Sequence, residues 1–137
     1  MILIACVDDG MGMMFNQRRQ SQDRTVRNDI LEEVGDGILW MNAYSYKQFA
    51  DMKNSRIRVE EDFFRQAGEK DWCFTENISP APYEASISKI LLYNWNRKYP
   101  ADVRFDIPLE EAGWKLVDVQ EFPGYSHEKI TKVVYTK

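Results

Sequence analysis

Two successive arginines, Arg18 and Arg19, stand just ahead of Ser21 and Asp23, and Arg24 and Arg27 follow at once. A guanidinium can grip phosphate or carboxylate with two parallel hydrogen bonds. A helix start adds free N–H groups and a partial positive charge. A helix capped at Ser21 would therefore put an anion site between the arginines and its first turn. The competing reading is a solvated basic face neutralised by Asp23 and Asp29. Asp8 and Asp9 close the N-terminal apolar run. Neighbours on an extended chain point to opposite sides, so these two are not a paired acid and base. One of them holding Arg18 or Arg19 in a salt bridge is the expected use. His127 is the single histidine, and histidine is the residue type whose unperturbed pKa suits a general base at neutral pH. Ser126 beside it is no catalytic partner by adjacency, because strand neighbours face apart, and a histidine at a strand end also serves structure alone. Trp95-Asn96-Arg97-Lys98-Tyr99 interleaves rings and cations in a way that suits stacking on nucleotides. It equally suits a connecting loop whose Trp packs on a sheet.

These groups need a frame, and the composition supplies one. The chain has 137 residues, 44% of them apolar, with four Trp, seven Tyr and seven Phe. That is enough to bury a core at the commonest size for one domain, and one domain over residues 1–137 is expected. The net charge of −4 comes from interspersed acids and bases, which argues against broad nucleic-acid or membrane-surface binding. The apolar run Met1–Val7 is too short to span a membrane and lacks the basic flank of a signal peptide, so a cytoplasmic chain is expected. Cys6 and Cys73 sit in apolar runs and read as buried, reduced thiols. With one histidine and no metal-ligand spacing, no metal site of the Cys/His type is expected.

The pattern along the chain predicts an α/β domain with a mixed central sheet. Ile2–Val7 is apolar on both faces, as a central strand should be. Gly10-Met11-Gly12 reads as a flexible loop. Ser21 would cap a helix reaching Val34, with Asp23 in its first turn and Gly35 as its stop. Ile38–Met41 predicts a second strand, followed by a helix capped by Ser45 that turns Phe49 and Met52 inward. A third helix is predicted over Val59–Ala67, ended by Gly68. Trp72–Phe74 and Ile90–Tyr93 are further strands, and Pro80 and Pro82 leave room only for a short helix between them. Trp114–Phe122 and His127–Tyr135, separated by Pro123-Gly124, predict an antiparallel hairpin at the C-terminus.

The segments Ser88–Trp95, Tyr99–Pro108 and Trp114–Val117 resemble the closing section of dihydrofolate reductases over roughly fifty residues. Val7-Asp8, the Gly-Met loop and an acidic residue early in the next helix are similar to that family's N-terminus. The resemblance implies its fold, shortened here, and places Asp23 where the family keeps its substrate-binding carboxylate. It also exposes departures. Asn42-Ala43-Tyr44-Ser45 replaces the Gly-Arg-x-Thr that cradles cofactor phosphate, and Thr75-Glu76-Asn77-Ile78 stands nearest the Gly-Gly loop beside the nicotinamide. No NADPH-dependent reductase activity and no cofactor are therefore expected. Phe15–Ser21, Asp71–Phe74, Trp95–Pro100 and Ser126–Lys132 also resemble a group of small bacterial proteins often labelled ribonuclease Z. That label implies dizinc chemistry on a histidine-rich motif, which one histidine cannot supply.

Three functions follow as expectations. The first is a reductase-like module binding a small anionic or nucleotide-like ligand at the end of the first strand through Asp8, Arg18, Arg19 and Asp23. The second is a metal-independent hydrolase or nuclease with Asp23 and His127 as candidate catalytic groups. The third is an interaction module without a ligand site. A homo-oligomer is compatible with each.

Overall fold

The computed structural model describes residues 1–137. Its main sheet has seven strands: β1 (Ile2–Val7), β4 (Leu39–Met41), β5 (Ile57–Val59), β6 (Trp72–Phe74), β7 (Lys89–Asn94), β9 (Lys115–Phe122) and β10 (Ile130–Thr136). They lie in the order β5-β4-β6-β1-β7-β10-β9. From β5 to β7 every pairing is parallel, and β10 and β9 add on antiparallel. The two-faced apolarity of β1 has its cause here: Leu3, Ile4 and Ala5 are fully buried because the strand lies at the middle of the sheet. The C-terminal hairpin pairs Val133 with Val119, and β9 is an edge strand that leaves Leu116, Val117 and Val119 exposed.

Each face of the sheet carries its own core. On one face lie Ile4, Phe74, Leu91 and Val134 against helix α1 (Arg24–Val34), which contributes Val26, Ile30 and Val34. These three recur every four residues and make a single apolar stripe. Gly35 ends the helix at φ 54°, a conformation glycine adopts without strain, and its N–H bonds the Leu31 carbonyl. On the other face Leu3, Ala5, Val7 and Leu92 pack under Met13, Phe63, Phe105 and Trp114.

Several local expectations are corrected. Asp23, not Ser21, caps α1: its carboxylate accepts from the N–H groups of Thr25 and Val26, and no acid stands in the first turn. The cap of the second helix is Asn42, with Ser45 inside a short α2 (Ala43–Tyr46). The helix predicted from Val59 is instead strand β5 followed by α3 (Phe63–Gln66), since Ile57-Arg58-Val59 find a parallel ladder on β4. Gly10–Gly12 is no free loop: β2 (Gly12–Phe15) pairs with β3 (Arg18–Arg19) and with β8 (Val103–Arg104) in a small second sheet. The β2–β3 turn places Asn16 and Gln17 at φ 52° and 63°, the left-handed pair that suits a two-residue hairpin. The last strand begins at Ile130, three residues beyond His127.

One charge lies under α1. Lys132 on β10 is 2% exposed, with its ammonium 2.8 Å from both Asp29 and Glu33 on the helix. Burial alone would lower its pKa, but the two carboxylates outweigh burial and raise it. Replacing Lys132 by Ala removes the cation and the methylene stem that fills the space beneath the helix. We expect a loss of about 3 kcal/mol, read as a lower midpoint of urea unfolding with an unchanged slope.

Candidate functional site

The carboxyl ends of β1 and β7 meet the start of α1 and the turn of the C-terminal hairpin. Asp8 ends β1 and is 1% exposed. Its Oδ1 accepts from the N–H groups of Gly10 (2.8 Å) and Gly12 (2.7 Å), and its Oδ2 from Tyr99 N–H (2.9 Å) and Gln20 Nε2 (3.1 Å). Burial would raise its pKa, and these four bonds reverse that and lower it. Asp8 therefore does not salt-bridge either arginine, the correction being that backbone donors consume it first. Gly12 has no room for a side chain, since a Cβ would come within 2.6 Å of Ala101 Cβ and of Gln20 Nε2.

Arg18 and Arg19 sit on β3, not at the helix start, and strand geometry sends them to opposite sides. Arg19 makes a two-pronged pair with Glu76, Nε to Oε2 at 2.9 Å and Nη2 to Oε1 at 3.2 Å. Its guanidinium also donates to the Tyr44 carbonyl and lies 4.5 Å from the Tyr44 ring centre. Arg18 is exposed. With Phe15, Arg19, Gln20, Tyr99 and Pro100 it lines a hollow of about 270 Å³.

Asp23 anchors a different cluster. Besides Thr25 and Val26, it accepts from Tyr125 N–H (2.9 Å), Ser126 N–H (2.8 Å), Ser126 Oγ (3.2 Å) and His127 Nδ1 (2.8 Å). Burial pushes its pKa up, but the hydrogen bonds from His127, Tyr125, Ser126 and Thr25 hold it well below the ordinary carboxylate range. An ionised carboxylate only accepts, so His127 carries its proton on Nδ1. In the neutral ring Nε2 is then the acceptor for Ser21 Oγ, 2.7 Å away. The Trp95 ring stacks on the imidazole, centres 4.6 Å apart. At Gly124 a Cβ would fall 2.7 Å from Asp23 Oδ2, so the chain reaches the carboxylate only as glycine. His127 borders a cavity of about 720 Å³, walled also by Trp95, Arg97, Phe122, Pro123 and Lys129.

The residues singled out from sequence thus divide. Asp23 and His127 are in contact, while Asp8, Arg18 and Arg19 gather on the β2–β3 side. Sequence reasoning missed Ser21 as the partner of His127, because 106 residues separate them. It missed Glu76 as the partner of Arg19 for the same reason. Cys6 and Cys73 are free thiols, and burial pushes Cys73 up to about 12, far from a reactive thiolate. No group of three or more His, Cys, Asp or Glu is placed to hold a metal ion, and no helix is long and apolar enough to cross a membrane.

No protein-family profile matches the sequence, and no curated protein is significantly similar to it. Among solved structures, a dihydrofolate reductase from Enterococcus faecalis, complexed with NADP(H) and RAB-propyl, aligns with a TM-score of 0.68. The alignment covers 98% of this chain and 94% of that chain at 9% identity. The chain has the dihydrofolate reductase fold. The likeness is one of architecture.

Asp23 is the group whose loss the fold should feel most. Asp23→Ala strips a helix cap and strands a hairpin turn, and should cost about 3–5 kcal/mol in chemical unfolding, the range for breaking a buried ionic contact. Because the folded pKa is depressed, the stabilisation is complete above the unfolded value of about 4 and is lost as pH falls through that value toward the folded one. Wild-type stability should therefore fall steeply below about pH 5. Asp23→Asn should flatten that acid limb; an equally steep limb in the variant would place the titration elsewhere.

Proposed function

We propose that the chain is a reductase-fold module that does without NADPH and binds a small anionic, nucleotide-like ligand in the hollow beside Arg18. The carrying observation is what lines that hollow. Two guanidiniums, two aromatic rings and the Gln20 amide face it, with no carboxylate among its walls. Arg19 is already neutralised by Glu76, so the ligand's charge falls to Arg18. Phe15, 47% exposed, and Tyr99 offer faces for a planar ring. Gln20 donates from Nε2 to Asp8 and to the Pro100 carbonyl, which fixes its side chain as a wall of the hollow. On this reading Asp8 never touches the ligand. It fixes Gln20 and Tyr99, two walls of the site.

The case against NADPH rests on the same geometry. The segments standing where the family holds cofactor phosphate and nicotinamide are tied to each other through Arg19, by Glu76 on one side and Tyr44 on the other. A cofactor would have to break that partly buried, two-pronged ion pair to enter.

A thermal-shift screen of nucleoside monophosphates, folates and small dicarboxylates is the test, since a bound ligand raises the melting temperature by mass action. A hit should weaken roughly 10- to 150-fold in Arg18→Ala, the loss of one charge-assisted contact of about 1.5–3 kcal/mol. Hits that survive Arg18→Ala unchanged would move the site elsewhere, and a screen with none would favour an interaction module. Calorimetric titration with NADPH should give no dissociation constant in the low micromolar range, an affinity of about 8 kcal/mol.

A further inference from the structure

Ser21, His127 and Asp23 are not used by that ligand site, yet they form a connected chain of the kind that activates a hydroxyl. Ser21 Oγ lies 2.7 Å from His127 Nε2, and His127 Nδ1 lies 2.8 Å from Asp23 Oδ2. We propose that Ser21 is a nucleophile, with His127 as its general base and Asp23 as the residue that positions His127, and that the site hydrolyses small carboxylic esters.

Four features carry this beyond a pair of hydrogen bonds. First, the tautomer is set. Asp23 is buried and held ionised by five other hydrogen bonds from backbone and Ser126, so it takes the Nδ1 proton and leaves Nε2 free to accept one. Second, the ring is fixed in orientation by the Trp95 stack and by the hairpin backbone that Asp23 binds. Third, Asp23 and the imidazole are buried while Ser21 is only half-buried, so the hydroxyl is the member that faces a substrate. Fourth, the amide N–H groups of Ser21, Gln22 and Arg24 make no hydrogen bond within the protein. They are unpaired donors adjoining Ser21 in the chain, the type of group that stabilises charge on a carbonyl oxygen.

The step balances without a metal or a redox partner. Ser21 Oγ bonds to the ester carbonyl carbon and passes its proton to His127 Nε2. The carbon–oxygen bond to the leaving group breaks, and Nε2 returns the proton to give a free alcohol. Water then attacks the acyl-Ser21 carbonyl with His127 again as base. A carboxylic acid leaves, and Ser21 regains its proton.

The experiment treats the folded full chain with a fluorophosphonate, which phosphonylates activated serines, and maps the adduct by peptide mass spectrometry. The expected result is one adduct on Ser21 in wild type, absent in Ser21→Ala, with p-nitrophenyl acetate turnover lost in step. Asp23→Asn should lower kcat for that ester at least 100-fold with KM unchanged, which a packing defect alone would not do. A folded wild type that stays unlabelled would overturn the proposal, as would an adduct on Ser126, or ester turnover that survives Ser21→Ala. None of these readouts involves Arg18, so their failure leaves the anion site untouched, and the reverse holds as well.

Discussion

A buried carboxylate costs several kcal/mol unless its oxygens are filled with donors, and Asp23 is filled from two distant parts of the chain. Thr25 and Val26 donate from the first turn of α1, while Tyr125, Ser126 and His127 donate from the hairpin over a hundred residues later. Neither set alone would satisfy the group. The carboxylate therefore makes the start of α1 and the turn of the hairpin conditional on each other. It also sets how the antiparallel end of the sheet is closed, because Gly124 can approach only as glycine. Asp8 performs the same service one strand away, joining the β1 loop to Tyr99 and Gln20. Two acids thus organise the loops after β1 and β7, the start of α1 and the hairpin turn.

Open α/β sheets bind ligands in the crevice outside the carboxyl ends of their strands. At that end of this sheet Arg19, Glu76 and Tyr44 meet in a partly buried ion pair with a stacked ring. Space remains beside Arg18 and beside His127. Fold and site are separable in this way because a β-sheet is specified by its alternating buried faces, whereas the loop ends are free to exchange one chemistry for another.

The sheet was legible because strand patterns are local. Ile2–Val7, Trp72–Phe74 and Ile90–Tyr93 declare themselves within a few residues, and Pro123-Gly124 marks the hairpin. What was not legible depends on partners far along the chain. Ile57–Val59 is a strand only because β4 offers a ladder, and Arg18–Arg19 leave the helix start only because Asn16 and Gln17 turn the chain back on β2. Lys132 reads as a surface lysine on a strand until Asp29 and Glu33 of α1 are laid across it. For the site, the residue types were readable and the pairings were not. Asp23 and His127 stood out as isolated candidates, but Ser126 drew attention by adjacency while the serine in hydrogen-bonding reach of Nε2 is Ser21. The acidic residue near the helix start was also visible, yet only the dihedral angles distinguish a cap from a first-turn residue.

Stability and reactivity converge on the same atoms in this arrangement. Transferring the Ser21 proton to His127 would create an imidazolium 2.8 Å from a carboxylate. In water that charge separation would require solvent to reorganise around it. Here the compensating charge is already present and already oriented, held by donors that exist to cap a helix and close a hairpin. Preorganisation of this kind is what lowers the cost of a developing charge inside a protein. The hydrogen bonds that fix the fold at Asp23 are thus the ones that ready His127 to take a proton. A single substitution there should act on folding and on chemistry together, whereas Ser21, bonded only to the far nitrogen of the ring, can be removed from the chemistry with the frame left standing.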